Sequence, residues 1–231
     1  MSSLEPDPAA DRRAWRALIF VAAAMGFLLF VPAGTVAYWQ AWAYLTIYFG
    51  SSVLITLYLV KKDPALLKRR LRGGPAAEKE RTQKIAVLVA SIAFIALLVV
   101  AALDHRFGWS SVPSYVVAAS DILTVLSFYF VFLVLKENTF SSATVEISAG
   151  QKVISTGLYA HVRHPMYVGA LTLCFAMPLA LGSYWGLLAF GVLLAAIVWR
   201  LFDEERLLSL KLPGYVEYCA RVRWRLIPGV F

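Results

Sequence analysis

Long uncharged runs alternate with short charged segments along the chain. Runs without Asp, Glu, Lys or Arg occupy residues 17–36, 38–60, 85–103 and 166–199, and a further run at 115–135 is interrupted only by Asp121. A helix needs about 17–25 residues to cross the roughly 30 Å hydrocarbon core of a bilayer. The pattern therefore predicts transmembrane helices.

The last run is much longer than one crossing requires. Pro178 and the GSYW stretch at residues 182–185 supply helix breakers and interfacial aromatic rings near its midpoint. We therefore expect a helical hairpin, with helices near residues 165–181 and 184–202. With the four earlier runs, this gives about six crossings.

The composition agrees with a membrane protein. Hydrophobic residues make up 60% of the chain and charged residues 16%, against about 45–50% and about 25% in soluble domains. A soluble enzyme, a disordered chain and a disulfide-stapled secreted module are excluded, and Cys174 and Cys219 are interpreted as free thiols. The predicted fold class is an all-α, polytopic integral membrane helical bundle with a C-terminal helical hairpin.

The positions of the basic residues predict the topology. Lys and Arg cluster at residues 12–16 and 61–84, and cytoplasmic loops are enriched in these residues. Both termini are then cytoplasmic, and Arg106 is the only basic residue on the outer side. We expect residues 1–135 to form N-terminal transmembrane helices with a basic cytoplasmic loop at 61–84, and residues 136–231 to form the C-terminal region.

The basic loop has two interpretations. The favoured one is a topology signal that lies on anionic lipid headgroups. Nucleic-acid binding is the less favoured interpretation, because no nucleic-acid motif accompanies the charge. The sequence also lacks the phosphate-loop, dinucleotide-binding and zinc-binding patterns, so no metal site is expected.

Polar and aromatic residues are concentrated at the two ends of the predicted hairpin. A tight hairpin brings these ends together at the inner membrane face, where the side chains could line one pocket. The residues concerned are Arg163, His164, Tyr167, Glu204, Glu205, Tyr215, Tyr218, Arg221 and Arg223.

Three motifs in this region resemble the isoprenylcysteine carboxyl methyltransferase family, which is related to the phospholipid methyltransferases. They are RHPMYVG at residues 163–169, EERLL at residues 204–208 and YVEYCARV at residues 215–222. The resemblance implies that residues 136–231 form a catalytic methyltransferase region with a cytoplasmic cofactor pocket. The implied cofactor is S-adenosylmethionine, with S-adenosylhomocysteine as product.

The resemblance also implies residue roles. The expected cofactor-binding residues are Tyr159, Arg163, His164, Pro165, Tyr167, Gly169, Glu204, Glu205 and Tyr218. Arg163 would hold a carboxylate with its planar fork, and Arg221 would orient an acidic acceptor. An amine or thiol acceptor would need a base, for which His164 or one of the paired glutamates, Glu205 among them, is the candidate.

Alternatives remain at this point. A membrane sterol-type reductase with a nicotinamide cofactor, a phospholipid, amine or thiol methyltransferase, and a non-catalytic scaffold or transporter are all compatible with parts of the pattern. A surface ion pair with Arg200 is the ordinary explanation for Glu204. Residues 136–155 could form a loop over the cofactor, with β-like alternation at 144–147.

The expected setting follows from these interpretations. We expect an integral protein of a bacterial or archaeal inner membrane. Its partners would be the lipid bilayer, anionic headgroups and a small-molecule or lipid-linked acceptor, such as the carboxylate of an isoprenylcysteine-like substrate, and no nucleic acid.

Overall fold

The computed structural model describes residues 8–78, 80–144 and 150–231, and its regular elements there are all helical. The helices are α1 (Pro8–Ala33), α2 (Trp39–Lys62), α3 (Pro64–Arg70), α4 (Arg81–Phe107), α5 (Ser114–Glu137), α6 (Pro165–Ala180), α7 (Gly186–Lys211) and α8 (Tyr215–Arg221). Short 3₁₀ turns occur at Pro75–Ala77 and Gly157–Ala160. The prediction of an all-helical bundle is confirmed for these residues.

Five helices are long and apolar enough to cross a membrane: α1, α2, α4, α5 and α7. Helix α6 is shorter, with 16 residues, and spans about 24 Å at 1.5 Å per residue. Its length falls below the roughly 30 Å core of a bilayer. The sixth crossing therefore stays a prediction.

The predicted turn between α6 and α7 is present, and two small residues make it tight. Gly182 adopts a φ of 76°, a left-handed conformation that favours glycine. A Cβ atom on Gly186 would lie 2.5 Å from Cβ of Pro178, so only glycine lets the two helices approach this closely. Beyond the turn, α6 packs mainly on α5 and α7 mainly on α4.

Hydrogen bonds fasten the end of the bundle at which α4 and α6 finish. Buried Asp104, near the end of α4, accepts hydrogen bonds from the hydroxyl of Ser183 and from the backbone N–H of Ser110, the latter at 2.6 Å. The Tyr38 ring stacks on His105 with centroids 3.9 Å apart. His105 carries no signal in the sequence, and here it helps to hold α4 against the turn before α2.

The C-terminal segment returns to the start of α6. The backbone N–H of Arg163 donates to the carbonyl of Trp224 at 2.9 Å, and that of His164 donates to the carbonyl of Arg225 at 3.0 Å. These bonds place the RHP motif between the end of α7 and the C-terminal segment. The motif is therefore held by main-chain contacts on one side and by helix α6 on the other.

Candidate functional site

A cavity of about 630 Å³ opens at the ends of α4, α6 and α7. Its polar half includes Arg70, Asn138, His164, Tyr167, Arg200 and Glu204. Its apolar half includes Val87, Phe94, Ile95, Leu171, Leu193 and Ile197. Leu171, Leu193 and Ile197 lie closer to the connecting turn than the polar lining residues of α6 and α7 do, so the cavity is apolar towards the turn. Its other end combines the polar residues with Met166 and Leu208.

Glu205 is the centre of a buried charge cluster beside this cavity. Its carboxylate accepts a hydrogen bond from Nη1 of Arg163 at 2.7 Å and one from Nε of Arg225 at 2.8 Å. Nε2 of His164 lies 3.3 Å from the same carboxylate. Glu205 itself is 8% exposed and is not among the residues that line the cavity. Glu205 thus positions Arg163 and His164 without itself lining the cavity.

Each of the three nitrogens of the Arg163 guanidinium donates a hydrogen bond within the protein. Besides Nη1 on Glu205, its Nε donates to the carbonyl of Val222 at 2.9 Å and its Nη2 donates to the carbonyl of Arg223 at 2.7 Å. Through Nε, Nη1 and Nη2, Arg163 therefore joins the start of α6 to α7 and to the C-terminal segment. Arg163 lines the cavity, but these three hydrogen bonds are made to Glu205 and to two backbone carbonyls of the protein itself.

Glu204 lines the cavity, unlike its neighbour Glu205. It accepts a hydrogen bond from the hydroxyl of Tyr167, and that hydroxyl accepts one from Nε of Arg200 at 3.1 Å. Nη1 of Arg200 lies 2.7 Å from buried Glu78. The expected Arg200–Glu204 surface pair is thus replaced by a chain of contacts in which Tyr167 lies between the two residues.

Tyr159, Tyr215 and Tyr218 form one aromatic wall of the cavity. Tyr218 donates to the carbonyl of Tyr159 at 2.7 Å, and the Tyr159 hydroxyl accepts from Nδ2 of Asn138 at 2.9 Å. The hydroxyl of Tyr215 is buried and has no hydrogen-bond partner within the described part of the chain. Burial raises the pKa of Tyr159 to about 12 and raises those of Tyr215 and Tyr218 as well, so all three hydroxyls are neutral near pH 7.

Besides Glu205, four of the residues expected at the site do not line the cavity, and one of them, Arg223, is exposed. Arg221 is exposed on α8 and does not line the cavity. Pro165 and Gly169 are buried in α6 outside the cavity wall. A Cβ atom on Gly169 would lie 2.6 Å from Cγ2 of Val131, so the close approach that this glycine permits is that of α5, not of a ligand.

The loop at 61–84 contributes to the site, which its interpretation as a lipid-facing topology signal did not anticipate. Arg70 lines the cavity, and Glu78 reaches Arg200. On α4, Gln83 donates to Asp203 of α7 at 2.7 Å. The signal available in the sequence was an acidic residue, Glu78, within a strongly basic segment. A carboxylate that leaves water needs a cationic partner.

The segment between α5 and α6 forms much of the remaining wall. Residues 140–144 and 151–154 line the cavity. The predicted β-like alternation extends over residues 145–147, which lie outside the described residues. Closure of this segment over a ligand stays a prediction.

Two comparisons with known proteins match parts of the chain. Residues 115–211 match the sequence model of the phospholipid methyltransferase family. A stretch of 93 residues is 33% identical to the Delta(14)-sterol reductase of Mus musculus, covering 38% of this chain and 22% of that protein. The chain thus spans about a fifth of the length of this relative.

The family match agrees with the methyltransferase expectation at the level of the wider group, and the similarity to a sterol reductase agrees with the reductase alternative. The matched residues include nearly all of α5, the whole of α6 and α7, and the site residues Arg163, His164, Tyr167 and Glu204. The chain thus combines five helices able to cross a membrane with a region similar to phospholipid methyltransferases. The isoprenylcysteine branch, the cofactor and the acceptor are not distinguished by the family match.

Proposed function

We propose that this protein is an integral membrane methyltransferase that takes its methyl group from S-adenosylmethionine and transfers it to a small or lipid-linked acceptor. The observation that carries the proposal is the two-part cavity. Its polar half suits a charged, water-soluble cofactor. Its apolar half is lined by α4 and α7, which can cross a membrane, and by the shorter apolar helix α6, and it suits an acyl or prenyl chain. The family match covers helices that contribute to both halves.

The residues of the polar half fit such a cofactor. The volume of about 630 Å³ lies within the roughly 300–1,000 Å³ typical of ligand sites. The Tyr215 hydroxyl is buried and has no hydrogen-bond partner among the residues that the structure describes, and a buried hydroxyl of this kind favours a ligand that hydrogen-bonds to it. Glu204 would accept hydrogen bonds from an ammonium or ribose hydroxyls. The rings of Tyr159, Tyr167 and Tyr218 would favour a sulfonium through cation–π attraction.

When bound, S-adenosylmethionine supplies an electrophilic methyl carbon on a positively charged sulfur. The task of the protein is then to align the acceptor atom with that carbon and to exclude water. The apolar wall formed by Phe94, Leu171 and Leu193 would hold the apolar body of the acceptor. The Arg163–Glu205 cluster would keep the polar wall in place.

The acceptor determines whether a base is needed. A carboxylate, as in the isoprenylcysteine-like substrate implied by the resemblance, is ionised near pH 7 and needs none. An amine or thiol must lose a proton, and His164, paired with Glu205, is the candidate base. The exposed position of Arg221 favours a role outside the cavity over the expected role of orienting the acceptor.

A sterol-type reductase with a nicotinamide cofactor is the second candidate. It is favoured by the similarity of 93 residues to the mouse Delta(14)-sterol reductase. The two functions differ in the cofactor that the polar half binds, so a binding measurement separates them.

The test is calorimetric titration of the purified protein in detergent with S-adenosylmethionine, S-adenosylhomocysteine and reduced nicotinamide dinucleotides. We expect the first two to bind, and Glu204→Ala to weaken that binding about tenfold or more because it removes a charged acceptor. Glu217→Ala, an equal charge change at an exposed position of α8, is the control. Binding of the nicotinamide cofactor alone would favour the reductase.

A further inference from the structure

The cavity includes one arginine from outside the region that matches the methyltransferase family. Arg70 is the last residue of α3, and the family match begins at residue 115. Helix α3 starts with Pro64 in its first turn, and the carboxylate of Asp63 caps it by accepting from the N–H of Leu66 at 2.8 Å. The sequence thus fixes where this short helix begins.

Packing then fixes the position of α3 against the bundle. Leu66 and Leu67 are 1% and 4% exposed, and they belong to a buried cluster with Leu59 of α2 and Leu135 of α5. Met166, which follows the RHP motif, packs against the same cluster. Arg70 is therefore held in the cavity wall by a docked helix.

Two more contacts join this region to the segment after α5. Nη2 of Arg69 donates to the carbonyl of Thr139. A Cβ atom on Gly73 would lie 3.2 Å from Cβ of Ala143, which shows how closely the chain after α3 approaches the cavity-lining segment. The wall that contains Arg70 is thus continuous with the wall that contains Asn138 and Tyr159.

The other two arginines of the cavity already have partners, and Lys152, which also lines it, is exposed to water. Arg163 is engaged by Glu205 and two carbonyls, and Arg200 is engaged by Glu78, Tyr167 and the carbonyl of Ala143. Among the described residues, the guanidinium of Arg70 has no hydrogen-bond or ion-pair partner, and Tyr159 is the group with which it interacts electrostatically. Burial lowers the pKa of Arg70, which indicates a guanidinium removed from water without a compensating anion.

We infer that Arg70 is the anion-binding residue of the cavity and holds a carboxylate or phosphate group of a bound ligand. A half-buried guanidinium with all its donors available offers a planar fork that binds either group through two hydrogen bonds. The anion belongs either to the amino-acid part of the cofactor or to the acceptor. This inference rests on the proposed function, because that function supplies both ligands.

The experiment compares wild type, Arg70→Gln, Arg70→Lys and the control Arg72→Gln. Arg72 is exposed two residues further on and does not line the cavity, so its replacement matches the charge change without touching the site. The measurements are the affinities for S-adenosylmethionine and for 5′-methylthioadenosine, which lacks the amino-acid part, and the KM for an anionic acceptor. Thermal unfolding of each protein reports whether it is folded.

The two sources of the anion give different results. If Arg70 holds the cofactor carboxylate, Arg70→Gln weakens S-adenosylmethionine binding about 10- to 100-fold and leaves methylthioadenosine binding unchanged. If it holds the acceptor, cofactor affinity is unchanged and the acceptor KM rises by a similar factor. In both cases Arg70→Lys, which keeps the charge and loses the fork, lies between Arg70→Gln and wild type.

Two outcomes overturn the inference in distinguishable ways. Equal affinities and equal KM values in wild type, Arg70→Gln and Arg72→Gln would show that Arg70 binds no anion, while the proposed function stands. Absence of cofactor binding in all of these proteins, including wild type, would refute the proposed function and with it the role of Arg70.

Discussion

Replacing Glu205 by alanine tests whether this carboxylate acts by holding the site together. The substitution leaves Arg163 and His164, whose side chains are 11% and 5% exposed, without their shared anion. Removing one partner of a buried ion pair costs about 3–5 kcal/mol in free energy of unfolding. Arg225 is 31% exposed and can be resolvated by water, so we expect the lower end, about 3 kcal/mol.

For a chain of 231 residues, a loss of this size lowers the melting temperature by about 6–12 °C. Thermal unfolding in detergent, followed by intrinsic tryptophan fluorescence, measures it. Glu217→Ala removes an exposed carboxylate of α8 and should shift the midpoint by less than about 2 °C. Glu204→Ala, at the cavity surface, should weaken ligand binding with a smaller loss of stability than Glu205→Ala.

The reasoning fails if Glu205→Ala unfolds like wild type yet no longer binds S-adenosylmethionine. That result would mean that the carboxylate contacts the ligand directly, as the sequence motif alone suggested. It would also mean that the cluster with Arg163 and Arg225 contributes little to the folded state.

Two further predictions use matched pairs of residues. Gly169→Ala should lower the free energy of unfolding by about 1–3 kcal/mol, because its Cβ atom would lie 2.6 Å from Val131. Val131→Ala should restore part of this loss in unfolding assays. Gly191→Ala, inside α7 where nothing lies within 4 Å of the added Cβ, should instead raise stability by up to about 1 kcal/mol. Tyr218→Phe removes a hydrogen bond to a backbone carbonyl and should cost about 1 kcal/mol. Tyr215→Phe removes an unpartnered hydroxyl and should leave stability unchanged while weakening cofactor affinity in calorimetry, and unchanged affinity would place the ligand away from Tyr215.

The helices could be predicted because their signal is local. The apolar run at residues 115–135, interrupted only by Asp121, and the helix at Ser114–Glu137 differ by one or two residues at each end, since apolar length directly reflects the thickness of a bilayer. The turn between α6 and α7 was likewise visible in Pro178 and the glycine at 182. In both cases neighbouring residues contain the information.

The roles within the site could be predicted only in part, because they depend on contacts between distant residues. The EE motif predicts two carboxylates near the cavity, but which one faces it depends on the rotation of α7 against α6. The planar fork of Arg163 suits a ligand carboxylate, yet it is used on carbonyls about 60 residues away, at Val222 and Arg223. Such competition between a ligand and the chain itself is not visible without the fold.

The limits of the family match divide the walls of the cavity between two parts of the chain. The match covers residues 115–211, and thus Tyr167 of the polar half and Leu171 of the apolar half. Arg70 of α3 and Phe94 of α4 also line the cavity and lie before the match. On the proposed function, substitutions of α4 residues that face the apolar half should change acceptor preference more than cofactor affinity, because S-adenosylmethionine would occupy the polar half. Equal changes in the acceptor KM and in the affinity for S-adenosylmethionine would show that α4 does not select the acceptor.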